Sequence, residues 1–272
     1  MDKNKTVDQT VDPRAFFSLG GECEYACKHC YTFRDGYVFQ PEGSMLDVVN
    51  KCKDRKFDIA YVSGHRDSFV SPDDGIELCE KIYERHGTDV LITTRNVFNG
   101  RQIARLSILN KKMRTDSRFL FVCSSIPATD SAYKLENLEK VPSPAERMKF
   151  LQAIYSAGMY TLLTLRPVCP SSFIPIGELR DIIRACKSFS SAVIASGMLI
   201  DDSMRKRIHG FPNDVKPEPV QLDQYLNNSD PIFEVSVEEE LVSIEEECLL
   251  HNLPFFRKSI PAIDFIKSKR HL

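Results

Sequence analysis

Six short apolar runs, each followed by a stretch with helical signals, leave this chain little choice but a parallel sheet. The runs are AFFSLG (15–20), FDIAYVS (57–63), DVLITT (89–94), RFLFVCSS (118–125), MYTLLTLRPV (159–168) and SAVIASGMLI (191–200). Parallel neighbours need a crossover of a dozen or more residues, and a helix is the usual one. Ser71-Pro72-Asp73-Asp74 puts proline and two acids into a first turn, and Gly87 offers a stop. Ser143-Pro144-Ala145-Glu146 has capping-box spacing and opens a helix that closes at Gly158. Segments 44–55, 101–113 and 176–189 read as further helices. The predicted fold is α/β: a single (β/α) unit of six strands curved into an incomplete barrel.

The two ends read differently from this middle. Residues 1–12 are polar and are expected to form a disordered tail, ahead of a partial barrel over 13–215. Residues 216–272 read as a C-terminal extension packing on the barrel. There Ser236-Val237-Glu238-Glu239 has helix-capping character, and Val237, Leu241, Ile244 and Cys248 form one apolar stripe. Residues 254–259 return as a short strand, and Phe255, Phe256 and Arg257 are expected to close the barrel's lateral opening.

Composition narrows the function classes. Hydrophobic residues are 42% and charged residues 27%, as in a soluble globular protein. The formal charge of −2 gives no electrostatic footprint of a nucleic-acid binder; Lys111, Lys112, Arg114 and Arg118 cluster without interleaved aromatics and read as a solvated face. No apolar run approaches the roughly 20 residues that span a bilayer, and the first residues lack a signal peptide's apolar core. A cytoplasmic location is expected, where nine cysteines point to thiolate or metal chemistry rather than disulfides.

That chemistry concentrates in GGECEYACKHCYTF (20–33), where Cys23, Cys27 and Cys30 are spaced C-x3-C-x2-C. Three thiolates on one loop can grip one metal centre and leave a coordination position open for chemistry. In a cubane cluster they leave one iron without a protein ligand, whereas ferredoxin-type carriers supply four cysteines. The alternative is a zinc site completed by His29 or a distant residue. Cys52, Cys79, Cys123, Cys169, Cys186 and Cys248 stand singly and read as small buried apolar residues.

C-x3-C-x2-C followed by Tyr31, ahead of a βα series, resembles the radical S-adenosylmethionine superfamily. The resemblance implies a [4Fe–4S] cluster on the three cysteines. It also implies S-adenosylmethionine (AdoMet) on the unique iron, its reductive cleavage to a 5′-deoxyadenosyl radical, and hydrogen abstraction from a substrate. It further implies an electron donor such as flavodoxin or ferredoxin. RDSFVSPDDGIELCEKI, TTRN, CSSIPATD, LENLEKVPSPAERMKFLQAIYSAGM and RPVCP, in that order, are similar to the branch containing spore photoproduct lyase.

By that likeness Tyr31 packs near adenine. Asp67 receives the methionyl ammonium with help from His65, in place of the superfamily's Gly-Gly-Glu. Arg95 and Ser125, with Ser124 beside it, meet the carboxylate, and Arg166 holds the ribose or the substrate. The lyase's hydrogen-donating cysteine falls at Gly64, so that thiol is missing; Cys123 or Cys169 could substitute. Two rival readings are an activating enzyme that installs a radical on a partner protein, and a non-catalytic iron–sulfur or zinc module.

Overall fold

A computed structural model describes residues 13–20, 23–30, 43–64, 66–212, 218–220 and 232–269. Its main sheet is parallel and runs, in spatial order, β1 (Arg14–Phe17), β2 (Ile59–Val62), β3 (Asp89–Thr94), β4 (Leu120–Ser125), β5 (Tyr160–Val168), β6 (Ala192–Gly197) and β10 (Phe255–Phe256). Each strand lies beside its predecessor in sequence until β6, where the seventh strand is supplied by the C-terminal segment. The expected six strands are all present, and 254–259 does return to the sheet.

The crossover helices are α1 (Met45–Asn50), α2 (Pro72–His86), α3 (Gly100–Thr115), α4 (Pro144–Ser156) and α5 (Ile176–Cys186). The signals read from sequence do their work: Gly87 adopts the left-handed conformation that ends α2, and Ser143 and Glu146 form the reciprocal capping box of α4. Helix α1 is shorter than expected, giving way to turns after Asn50. The last predicted strand splits at Met198. Its end, β7 (Leu199–Ile200), leaves the barrel for a small antiparallel sheet with β8 (Glu218–Val220) and β9 (Ile232–Glu234). The short helix α6 (Asp202–Arg207) follows β7, capped by the Asp201 side chain.

In the C-terminal region α7 (Glu238–Leu250) buries the predicted stripe of Leu241, Ile244 and Cys248. Its N-cap is Val237 with no side-chain cap, so the Ser236 capping signal is not used. A further helix, α8 (Ser259–Ser268), was not expected from the sequence; its Pro261 sits in the first turn, where a missing N–H costs nothing. Ala262, Ile263 and Ile266 pack against Ile59, Tyr61, Leu91, Phe121 and Leu162, the residues that alternate toward one face of the sheet. Tyr61 donates to Ser259 Oγ (2.8 Å) and Lys267 reaches Asp89 (2.7 Å) at the start of β3. Helix α8 therefore plugs the N-terminal half of the concave face, leaving the strand C-termini for ligands. Alternate residues such as Val62, Ile92 and Val122 face the outer helices in a separate core.

Candidate active site at the strand ends

Parallel strands carry all their C-termini to one rim, where ligands of such folds bind. On this rim a cavity of about 130 Å³ is lined by Cys23, Tyr25, Cys27, Cys30, Ser63, Gly64, Arg66, Asp67, Thr93, Thr94 and Arg95. The three motif cysteines thus share one wall with the ends of β2 and β3. No three His, Cys, Asp or Glu side chains among the described residues meet around a point where a single metal ion would sit. Burial pushes the Cys27 thiol up to about 12, and burial likewise raises Cys23. A metal centre bound at these sulfurs would displace their protons.

The loop holding these thiols is fixed from behind. Two tight turns, Ala26 N–H to Cys23 O (3.2 Å) and Cys30 N–H to Cys27 O (3.0 Å), shape it. His29 lies between the second and third cysteines and is buried against the segment after β4: its Nδ1 donates to Leu135 O (2.9 Å), and its Nε2 accepts from Arg95 Nη2 (3.0 Å). Burial, reinforced by Arg95, lowers its pKa to about 4, so the ring is neutral. Both ring nitrogens of His29 are thus engaged by protein partners. Lys28 Nζ donates to Tyr133 O (2.7 Å), and Arg207 of α6 donates to Cys30 O (3.1 Å).

Arg95 joins the loop to the barrel. Its Nε donates to Glu136 (2.9 Å), and its Nη2 donates to Ser125 Oγ (3.3 Å) as well as to His29. Glu136 is gripped on its other side by Arg147 of α4, with both side chains fully buried; Arg147 also donates to Ser125 O (2.5 Å). Burial alone would raise the Glu136 pKa, but Arg147 and Arg95 outweigh it and hold the carboxylate below its ordinary range. Sequence reasoning passed over Glu136 and Arg147. A signal existed, because Arg147 falls on the buried stripe of α4 with Pro144, Phe150, Leu151 and Ile154. A charged residue on an apolar stripe implies a buried partner.

Asp67 fastens β2 to β3. Its carboxylate accepts from Phe69 N (3.0 Å), Thr94 Oγ1 (3.0 Å) and Arg95 N (2.8 Å). Burial raises its pKa against those hydrogen bonds. Ser63 before it has φ 78°, a left-handed conformation that non-glycine residues enter at a cost of about 1–3 kcal/mol and keep where surroundings impose it. A Cβ on Gly64 would lie 2.8 Å from the Phe16 ring, so the position expected to lack the lyase's cysteine also lacks room for any side chain without moving Phe16.

The other predicted residues divide. Ser125 Oγ bridges Arg95 and the carbonyl of Arg166 (2.9 Å). Ser124 alternates to the opposite face of β4, fully buried, and does not line the cavity. Cys169 is packed in the core beside Met198 and likewise does not line the cavity. Cys123 is buried on the concave face against Thr164 Oγ1, its pKa raised by burial. Arg166 is on the same face, donating from Nη2 to Arg257 O (2.8 Å). Tyr31 and His65 lie outside the described residues.

A second cavity, of about 380 Å³, opens at the other side of the rim between the ends of β6 and β10, with Ser196, Gly197, Glu234, Glu238, Arg257 and Lys258 in its walls. Arg257 and Glu238 pair across its mouth. The Arg166–Arg257 hydrogen bond links this cavity to the middle of the rim.

Three thiols, a carboxylate and a guanidinium around one cavity suit a thiophilic centre with a zwitterionic ligand. The Tyr25 hydroxyl adds a buried donor without a partner among the described residues. No helix among the described residues is long and apolar enough to cross a membrane.

No protein-family model matches the chain, and no curated protein matches it. Among solved structures it is similar to SuiB of Streptococcus suis bound to S-adenosylmethionine, with TM-score 0.51 and 12% identity over 91% of this chain and 48% of that one. It is also similar to anSMEcpe with bound AdoMet and the Kp18Cys peptide, with TM-score 0.52 and 10% identity over 89% of this chain and 64% of that one. The chain spans about half to two thirds of their lengths. At these identities the likeness is one of fold: the chain folds as an α/β partial barrel like that of proteins solved with AdoMet in place.

Proposed function

We propose that the chain is a radical S-adenosylmethionine enzyme, with Cys23, Cys27 and Cys30 ligating a [4Fe–4S] cluster. The observation that carries the reading is the gathering of these thiols with Asp67 and Arg95 in one cavity at the C-terminal rim of a partial parallel barrel. When bound, the cluster supplies the electron that cleaves the C5′–S bond of AdoMet, and the released carbon radical takes a hydrogen atom from the substrate.

The protein's part is to bind, orient and exclude. Asp67 takes the methionyl ammonium, its carboxylate already oriented by three donors from the β2 and β3 ends. Arg95 takes the carboxylate with Nη1, which makes no hydrogen bond to the described residues, while Ser125 and Glu136 hold the rest of its fork. Tyr31 and His65 belong to the adenine and ammonium sides of the same reading. Arg166 faces the substrate side and anchors an anionic substrate group: it has no carboxylate partner among the described residues, and burial lowers its pKa. Cys123, on the concave face with Arg166, is a hydrogen donor on this reading, whereas Cys169 packs beside Met198 in a different core cluster. The electron comes from a flavodoxin- or ferredoxin-type donor. Residues 216–272, as an extension on the barrel, close its side and shape the substrate cavity.

The lyase branch's repair reaction is not part of the proposal, because Gly64 and the Phe16 ring occupy the place of its thiol. Anoxic reconstitution tests the reading: about four irons per chain, and 5′-deoxyadenosine after dithionite and AdoMet, are expected. A chain that takes up zinc and no iron, or that holds iron without ever cleaving AdoMet, would refute it.

A further inference from the structure

Tyr25 sits inside the C-x3-C interval, where nothing in the spacing of ligands demands an aromatic residue. Its ring packs with Cys27 and Val141, and the residue is 5% exposed. Phenylalanine would fill that space equally well. The hydroxyl is buried and has no hydrogen-bond partner among the described residues. Leaving such a buried donor unsatisfied destabilises the fold, so a partner supplied by a ligand is the economical explanation.

The neighbours narrow what that partner is. Tyr25 lines the cavity with the three cysteines and Asp67. Asp67, which lines the same cavity, has oxygens that already serve Phe69 N, Thr94 Oγ1 and Arg95 N. A phenol carries its proton at neutral pH, so the buried hydroxyl acts as a donor. The cavity that Tyr25 lines is walled by the three cysteine sulfurs, and a cluster seated on them would bring inorganic sulfide, an acceptor, into the same space.

We propose that Tyr25 donates its phenolic hydrogen to a sulfur of the cluster held by Cys23, Cys27 and Cys30, and thereby raises the cluster's reduction potential; this rests on the function proposed above. A hydrogen bond to sulfur favours the reduced, more negative state over the oxidised one, so removing it makes reduction harder.

The test is a redox titration of reconstituted wild type and Tyr25→Phe without AdoMet, followed by electron paramagnetic resonance. With equal iron content in both, the variant's midpoint is expected to move to more negative potential. Equal midpoints overturn the inference while leaving the function standing. A shift that emerges only with AdoMet present also overturns it, since the hydroxyl would then serve the ligand. Should Tyr25→Phe not assemble, the wild type decides: an exchangeable proton coupled to the reduced cluster in electron–nuclear double resonance, lost in deuterium oxide, is required, and its absence overturns the inference. A wild-type chain that binds no iron overturns the function itself, a distinct result.

Discussion

The two halves of the rim are built on opposite principles. Around the cysteines a network of charged groups is committed: Arg95 to Glu136, His29 and Ser125, Arg147 to Glu136 and Ser125, and Asp67 to three donors, with Arg66 outside it and bonded to Gly20 O. At the β5–β6–β10 side, Arg166 makes one hydrogen bond to a backbone carbonyl, and the Arg257–Glu238 pair is exposed. The first half is preorganised for a fixed occupant, which is where positioned dipoles are most useful. The second leaves a larger cavity and an uncompensated cation, the arrangement expected where the occupant brings its own negative charge.

The sharpest way to break this contrast is at the motif itself. Cys27→Ala removes one of the three proposed ligands, and two thiolates do not hold a cubane; complete loss of cluster absorbance and of iron is expected after reconstitution. A variant that keeps the full iron complement would remove Cys27 from the ligand set and with it the committed character of this half.

Next in size comes the buried network. Arg147→Met leaves Glu136 fully buried with Arg95 as its remaining cation and strips Ser125 O of its donor. Breaking a buried pair in this way costs about 3–5 kcal/mol, measured by urea unfolding of the metal-free chain. The loss depends on pH with a fixed sign. Glu136 has its folded pKa depressed by Arg147, so its stabilisation is present above the ordinary carboxylate range and is lost as pH falls through the folded value. The gap between wild type and variant should be full near pH 7 and shrink toward pH 3. A gap that is constant, or wider in acid, would show that the ion pair is not what Arg147 contributes.

How much of this was legible in sequence follows from the range of the interactions. The cysteine triplet and the strand–helix rhythm are local patterns, and both survive into the fold. Strand-end position was legible too, since it follows from the rhythm; it brought Asp67 and Arg95 to the cavity. It did not separate Ser124 from Ser125, because adjacent strand residues face opposite ways and the sequence does not mark which face is concave. Glu136 was not legible, lying in a loop whose meaning depends on residues 41 positions back and 11 ahead. Helix α8 was hidden by Pro261, a helix breaker anywhere but the first turn.

A smaller effect is expected at Asp67. Asp67→Asn keeps the shape and the acceptor oxygen for one backbone N–H but removes the charge proposed to meet the methionyl ammonium. Hydrogen bonds to charged groups contribute about 1.5–3 kcal/mol, so AdoMet affinity should fall by about tenfold or more with iron content unchanged. Equilibrium binding to the reconstituted protein reads this directly. Unchanged affinity would confine Asp67 to fastening β2 to β3.

The smallest effect has the opposite sign, and it tests the open half of the rim. Arg166 is a partly buried cation whose neighbours on the concave face are Cys123 and Tyr61 rather than a carboxylate, and desolvation pulls its pKa down. Its charge is therefore a cost to the unliganded fold, unlike that of Arg147. Arg166→Met removes the charge, keeps an unbranched side chain against Tyr61 and gives up one hydrogen bond to Arg257 O. The expected result is a metal-free chain as stable as wild type or more stable by about 1 kcal/mol, because an apolar replacement for a buried charge is often neutral or stabilising. Urea unfolding of Arg147→Met and Arg166→Met side by side makes the comparison. If both lose several kcal/mol, Arg166 is held by the fold as firmly as Arg147, and the division of the rim into a committed half and a receptive half fails.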